Sequence, residues 1–254
     1  MDRTAAAANC ERDRRVVFSR VTNFRDLGGY RTLGGGETRW GEVFRSDSLH
    51  NLVKHDLASL DALGVRVVYD LRRHDERQRE PSPLACIHVE LPSNRVDDAD
   101  PGRLRTRGDG ERWLFEDYRG MLERAGHVFG QLFAELAHAP GPAVFHCTGG
   151  KDRTGLTAAL LLSCLGVDRE VVLDDYELTS RYRVAKHSPA VVELFVAMGI
   201  PRPAAEGLLS APRWAMAEAL EVLDTKYGGI RSYLVVQGGM LESSLDALTE
   251  RLVA

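Results

Sequence analysis

Long apolar runs are missing from this chain. Its two most hydrophobic stretches, LTAALLLSCLGV and AVVELFVAMGI, fall well short of the roughly 20 residues needed to span a bilayer. The opening MDRTAAAANCERDRR lacks the apolar segment of a secretory leader. The chain is therefore expected in the cytoplasm, or exported without a recognisable signal peptide. Cysteine is scarce: Cys10, Cys86, Cys147 and Cys164 stand far apart, with no CxxC pair and no His/Cys cluster at zinc spacing. That pattern excludes a disulfide framework and a zinc ribbon and points to free thiols. Positive charge is not in excess either. With 33 Lys and Arg against 37 Asp and Glu, the net charge is −4, and there is no electrostatic footprint for nucleic acid, so any anion must be held by a local site. Fixed-period repeats and long low-complexity linkers are also absent.

What is present suffices for a substantial core, since 44% of 254 residues are hydrophobic. Residues 1–15 read as a flexible tail and 16–254 as one domain. The glycine clusters in NFRDLGGYRTLGGGETRWGEVFRSDSL mark tight turns between short strands. A helix is expected from Leu52 to Leu63, stopped by Gly64, followed by a doubly buried strand from Val65 to Tyr69. Cys86 to Leu91 reads as another strand, and SNRVDDADPGRLRTRGDGER as a long polar loop. A helix is expected from about Trp113 to Ala139 with an interruption near Gly126, then a strand over Pro142 to Phe145, then a helix over Thr154 to Leu165. Beyond Asp168 the pattern is helical, broken at Pro189, Pro201 to Pro203, Pro212 and Gly228-Gly229. The fold class is therefore α/β: a mostly parallel central sheet flanked by helices, with a helical C-terminal extension. Within that extension, 186–226 is a helical insertion, most simply packed as core.

The run HCTGGKDRTG, His146 to Gly155, sits between the last strand and its helix. Strand, glycine loop and helix N-terminus gather unpaired amides and a positive dipole end around one point, which suits an anion. A thiol held there loses its proton readily, making Cys147 a nucleophile. Arg153, six residues on, can hold two phosphoryl oxygens with its planar fork. Gly149 and Gly150 permit close backbone approach, and the amides of Thr148, Gly149 and Gly150 would line the anion. The residues thus point to a cysteinyl-phosphate intermediate hydrolysed by water. Amides and Arg153 neutralise the phosphate, so no metal or other cofactor is called for. A Walker loop is excluded because Gly150-Lys151 is followed by Asp152 rather than Ser or Thr. The alternatives are a sulfurtransferase and a phosphate-recognition module without turnover; the latter would have no use for the thiol.

HCTGGKDRTG, with NFRDLGGY and the strand-terminal DLR of Asp70 to Arg72, closely resembles the atypical bacterial tyrosine-protein phosphatases of the mycobacterial protein tyrosine phosphatase B kind, a group that includes enzymes acting on phosphoinositides. The resemblance covers the chain from about Val16 and includes KYGGIRSYL. It implies a phosphotyrosine-phosphatase-like core acting on a phosphorylated protein or phosphoinositide, with Cys147 as nucleophile, Arg153 as clamp and Thr154 donating its hydroxyl to the sulfur. It puts the general acid inside the loop at Asp152, with Asp97, Asp98 and Asp100 of the polar loop as rivals. It also implies that Lys151 meets a second phosphate or acidic headgroup, and that the C-terminal helices form a lid. His146 is expected to fix the loop or tune the thiol, and Asp70 and Arg72 to brace it. Arg25 and Asp26 read as an ion pair holding a Gly-Gly turn.

Overall fold

The computed structural model describes residues 13–94, 101–183 and 189–254. In chain order they form β1 (Arg25–Asp26), β2 (Val43–Ser46), α1 (Lys54–Ala62), β3 (Val67–Asp70), α2 (His74–Arg79), β4 (Ile87–His88), α3 (Arg107–Arg124), α4 (Gly126–Ala137), β5 (Ala143–His146) and α5 (Asp152–Cys164). Then come α6 (Arg169–Arg183), α7 (Pro189–Ala197), α8 (Arg202–Leu209), α9 (Arg213–Tyr227), α10 (Ile230–Val236) and α11 (Glu242–Leu252). The five strands lie in the order β1-β2-β5-β3-β4, parallel except for the β1 edge. The expected mostly parallel sheet with a helical C-terminal extension is what the chain builds.

The sheet is covered on both faces, as its β-branched strands require. On one side Tyr69, Phe145 and Val43 join the large core under α3 to α6 and α9 to α11. On the other, Val68, Val144 and Phe44 meet Phe18, Phe24, Leu49 and Leu60. Register places Ser46 and Asp70 on either side of His146. The loop after β5 therefore leaves from the carboxyl edge of the sheet with a neighbour on both flanks, where sites of open α/β folds form.

Three expectations need correction. The helix expected from Trp113 begins six residues earlier, at Arg107, because Thr106 and Asp109 form a reciprocal capping box. Gly108 and Gly110 disguise this start. Gly110 is there because α8 crosses closely: a Cβ would stand 2.3 Å from the Ala204 carbonyl oxygen. Secondly, Arg14 and Arg15 pack on the domain: Arg14 lies 3.9 Å over the Tyr30 ring and donates to the Gly28 carbonyl, and Arg15 bridges Arg25. Finally, the apolar residues of α7 are only partly core. Val192 and Phe195 pack on Leu104, Ile200 and Leu208, but Leu194 and Val196 are exposed.

Candidate active site

Cys147 follows β5 directly and is buried. The loop then passes through Gly150, whose φ is +62° and where a Cβ would stand 2.6 Å from Asp47 N and Ser46 O, so only glycine fits. Its carbonyl is drawn into the protein by Asn23 Nδ2 at 2.8 Å and Arg45 Nη2 at 3.0 Å. Asn23 is itself placed by Asp47, whose carboxylate collects the amides of Thr22 and Asn23 and the Thr22 hydroxyl. Behind this, Asp175 of α6 accepts from Arg25 at 2.9 Å and Arg45 at 2.5 Å, all three side chains buried. Burial alone would raise the Asp175 carboxyl, but the two guanidinium charges outweigh it and hold it far below the usual range. Burial and the neighbouring Arg25 lower Arg45 to about 10. The loop is thus braced by a buried Arg-Asp-Arg cluster that ties β1 and β2 to α6.

Arg153, in the first turn of α5, is gripped edge-on by Glu76 of α2: Nη1 donates to Oε2 at 2.6 Å and Nη2 to Oε1 at 2.9 Å, while Nη1 also reaches the Leu71 carbonyl. Of the five guanidinium N–H groups, these bonds leave the Nε edge facing away from Glu76, with no hydrogen-bond partner among the described residues. Glu76 also accepts from Thr148 Oγ1 at 2.6 Å and the Arg73 amide at 2.8 Å. Burial would raise its carboxyl, yet the hydrogen bonds and charge of Arg153 prevail and bring it down to about 2. Thr154 Oγ1 is buried with no partner among the described residues. These groups open on a cavity of about 370 Å³ lined by Cys147, Thr148, Gly149, Lys151, Asp152 and Arg153, and closed by Trp113, Leu114 and Asp117 of α3 and Phe195, Leu208 and Leu209 of the C-terminal helices.

Residues 16–254 match the model of the tyrosine phosphatase family. The chain belongs to that family. It is 30% identical to the triple specificity protein phosphatase PtpB of Mycobacterium tuberculosis over 253 residues, covering 84% of this chain and 90% of the relative. It is 31% identical to a tyrosine-protein phosphatase of Nostoc commune over 224 residues, covering 82% of this chain and 73% of the relative. No helix of this phosphatase, among the described residues, is long and apolar enough to cross a membrane.

The phosphatase loop gathers Cys147, Thr148, Gly149, Lys151, Asp152 and Arg153 at one cavity, as their spacing suggested. Asp70 and Arg72 form a buried pair behind it: Arg72 Nη2 donates to Asp70 Oδ2 at 2.8 Å and Nη1 to the Glu80 carbonyl, closing the segment that carries Glu76. His146 is also buried, its Nδ1 3.2 Å from the Cys147 carbonyl and its Nε2 3.9 Å from Asp70. Arg25 and Asp26 do not pair with each other. Adjacent strand residues point to opposite faces, so Arg25 reaches Asp175 while Asp26 accepts from the Gly28 and Gly41 amides. Asp97, Asp98 and Asp100 lie outside the described residues.

Lys151 points to the end of α8, donating to the carbonyls of Leu208 at 2.6 Å and Ser210 at 2.7 Å, with Nζ 3.3 Å from Asp152. The residues that sequence reading missed are Asn23, Arg45, Glu76, Asp117, Tyr118 and Asp175. A visible signal existed only for Glu76, which follows the DLR strand end at the third position of a helix, where a carboxylate caps. As for a metal, Asp70, Cys86 and His146 have donor atoms within 4.8 Å of one another. The Asp70 carboxylate is already filled by Arg72, so a cation there would have to displace a guanidinium.

Two groups give the fold a stated acid sensitivity. Burial lowers His146 to about 4 against the opposing charge of Asp70. The unfolded imidazole therefore takes its proton first, and stability present above about 6.5 is lost as the pH falls towards 4. The depressed Glu76 adds a second loss between about 4.5 and 2. Each contributes about 3 kcal/mol. Urea denaturation from pH 7.5 to 3 should show the midpoint falling below pH 6.5, and His146→Gln should flatten the upper part of that fall. A midpoint level between pH 6.5 and 4 would contradict a neutral buried His146.

Proposed function

We propose that the protein is a cysteine-dependent phosphomonoester hydrolase that removes phosphate from phosphotyrosine through a cysteinyl-phosphate intermediate, with phosphoserine, phosphothreonine and phosphoinositides as further substrates. The observation that carries this is Cys147 and Arg153 on one cavity, with the Gly150 carbonyl withdrawn from it and Arg153 held by Glu76 with its Nε edge turned away. Loop amides and that edge take the phosphate oxygens; the thiolate attacks phosphorus; the Thr154 hydroxyl, buried without another partner, donates to the sulfur as it leaves. Electrostatic neutralisation of this kind is the main demand of phosphoryl transfer. The Mycobacterium tuberculosis relative is named a triple specificity phosphatase, which supports a substrate range beyond phosphotyrosine.

The test is phosphate release, with chelator present, from phosphotyrosine, phosphoserine and phosphothreonine peptides and mono- and bis-phosphorylated phosphoinositides. Binding without release from any of them would make the protein a recognition module instead, and thiocyanate formed from thiosulfate and cyanide would make it a sulfurtransferase.

The same reading takes α7 and α8 as a lid over the cavity, with Lys151 as its latch and as a contact for a second phosphate group when the lid is open. Its hydrogen bonds to the carbonyls of Leu208, in α8, and Ser210, just past its end, are charge-assisted, a class worth about 1.5–3 kcal/mol. Amide exchange over Arg202–Leu209 is therefore expected to quicken at least about tenfold in Lys151→Met, and to change in the wild type when a phosphate analogue is added. Exchange unchanged in both comparisons would leave α8 as ordinary packing.

A further inference from the structure

Release of the leaving group needs a proton, and among the described residues three carboxyl groups line the cavity: Glu76, which is committed to Arg153, and Asp152 and Asp117. Asp152 is occupied as an acceptor: Tyr118 donates its hydroxyl to Oδ1 at 2.7 Å, and the Lys151 ammonium stands 3.3 Å from the same oxygen. Tyr118 is in turn 2.6 Å from the Tyr176 hydroxyl, both rings buried. These are the contacts of a carboxylate.

Asp117 differs in its burial and in having no cation beside it. It precedes Tyr118 on α3, so the same helix presents one residue to Asp152 and the other to the cavity. Its side chain is 2% exposed. Its hydrogen bond among the described residues comes from the Asn94 amide, 2.6 Å from Oδ1, and no described cation lies within ion-pairing distance of it. The charged groups facing it are Asp152 and Arg153 from α5, Lys151 from the loop, Arg124 from α3 itself, and Arg73, Glu76 and Arg79 across the cavity. Of the cations, Arg153 is committed to Glu76 and Lys151 to α8 and Asp152. Burial raises the Asp117 carboxyl, the Asn94 amide opposes, Asp152 adds to the rise, and the outcome is about 7. Asp117 is buried with one amide donor, whereas Asp152 has a hydroxyl and an ammonium beside it, so of the two Asp117 has less to stabilise a negative charge.

We propose that Asp117, and not Asp152, is the proton donor of the reaction, with Asp152 a carboxylate held by Tyr118 and Lys151. This rests on the cysteinyl-phosphate reading above. In the first step the Cys147 sulfur forms its bond to phosphorus as the ester P–O bond breaks; that electron pair goes to the leaving oxygen, which takes the Asp117 proton. In the second, the Asp117 carboxylate takes a proton from water as its oxygen attacks phosphorus, the S–P bond breaks with its pair returning to sulfur, and inorganic phosphate departs. Charge and protons return to their starting state.

The experiment compares wild type, Asp117→Asn and Asp152→Asn on phenyl, para-nitrophenyl and dinitrophenyl phosphates, with kcat followed across pH. A missing proton donor matters in proportion to the basicity of the leaving group. Asp117→Asn should lose about 10²- to 10³-fold in kcat on phenyl phosphate, with a loss at least about tenfold smaller on dinitrophenyl phosphate, and the alkaline decline of the wild-type profile should vanish. Ratios between substrates in one preparation do not depend on the folded fraction, so a partly misfolded variant still answers. Equal losses on all three esters would make Asp117 structural and overturn the proposal, and so would a leaving-group-dependent loss confined to Asp152→Asn. Wild type inactive on every ester would instead overturn the cysteinyl-phosphate reading itself, and the proposal with it.

Discussion

Cys147→Ser should abolish phosphate release, by on the order of 10⁴-fold or more, as loss of a covalent nucleophile does, while phosphate or vanadate still binds. The serine keeps the position but not the chemistry: an alkoxide forms far less readily than a thiolate in the same field of amides. Binding is expected to survive because, in the proposed mechanism, it rests on the loop amides and Arg153, which the substitution does not touch. The companion change, Arg153→Lys, should cost about 10²- to 10³-fold, the scale of losing one preorganised donor. A lysine can neither grip Glu76 with two parallel bonds nor present a second edge to phosphate. Steady-state release and isothermal titration on the same samples separate the two effects. Residual turnover above a hundredth of wild type in Cys147→Ser would remove the covalent mechanism.

Asp175→Asn is expected to produce the largest loss of stability of any single polar substitution in the protein. Asp175 neutralises Arg25 and Arg45 where neither reaches solvent, and breaking a buried charge network by removing its shared partner costs about 3–5 kcal/mol. For a chain of this size that lowers the melting temperature by roughly 10–15 °C. The effect should reach the active site as well, because Arg45 holds the Gly150 carbonyl, and without a fixed Arg45 the loop amides lose their aim. Thermal denaturation together with kcat/KM would show both. A variant melting within about 3 °C of wild type would mean that the two guanidinium groups find other acceptors.

The parts of the site legible in the sequence are those that local spacing controls. HCTGGKDRTG lies between an apolar strand and an apolar helix, and the separation of Cys147 from Arg153 is a property of one loop. The helix breaks at Pro201 to Pro203, Pro212 and Gly228-Gly229 were equally visible, since proline cannot continue a helix and Gly228 takes the left-handed conformation after α9. The start of α3 was hidden because Gly110 serves a neighbouring helix rather than its own. The mistaken Arg25–Asp26 pair came from reading neighbours in sequence as neighbours in space.

Sequence alone therefore determined the fold class, the loop and the spacing of Cys147 and Arg153, because each depends on periodicity or on residues a few positions apart. Tertiary structure alone decided what holds Arg153 and which carboxyl groups face the cavity. Glu76 lies 77 positions from Arg153, Asp175 lies 130 from Arg45, and Tyr118 lies 34 from Asp152. On a single strand of text Asp117 is one acid in a polar helix. It becomes part of the site only when α3 is laid over the loop, removing it from water and setting it beside Asp152. A carboxyl group's chemistry is set by its solvation and by the charges around it, and both are properties of the folded chain.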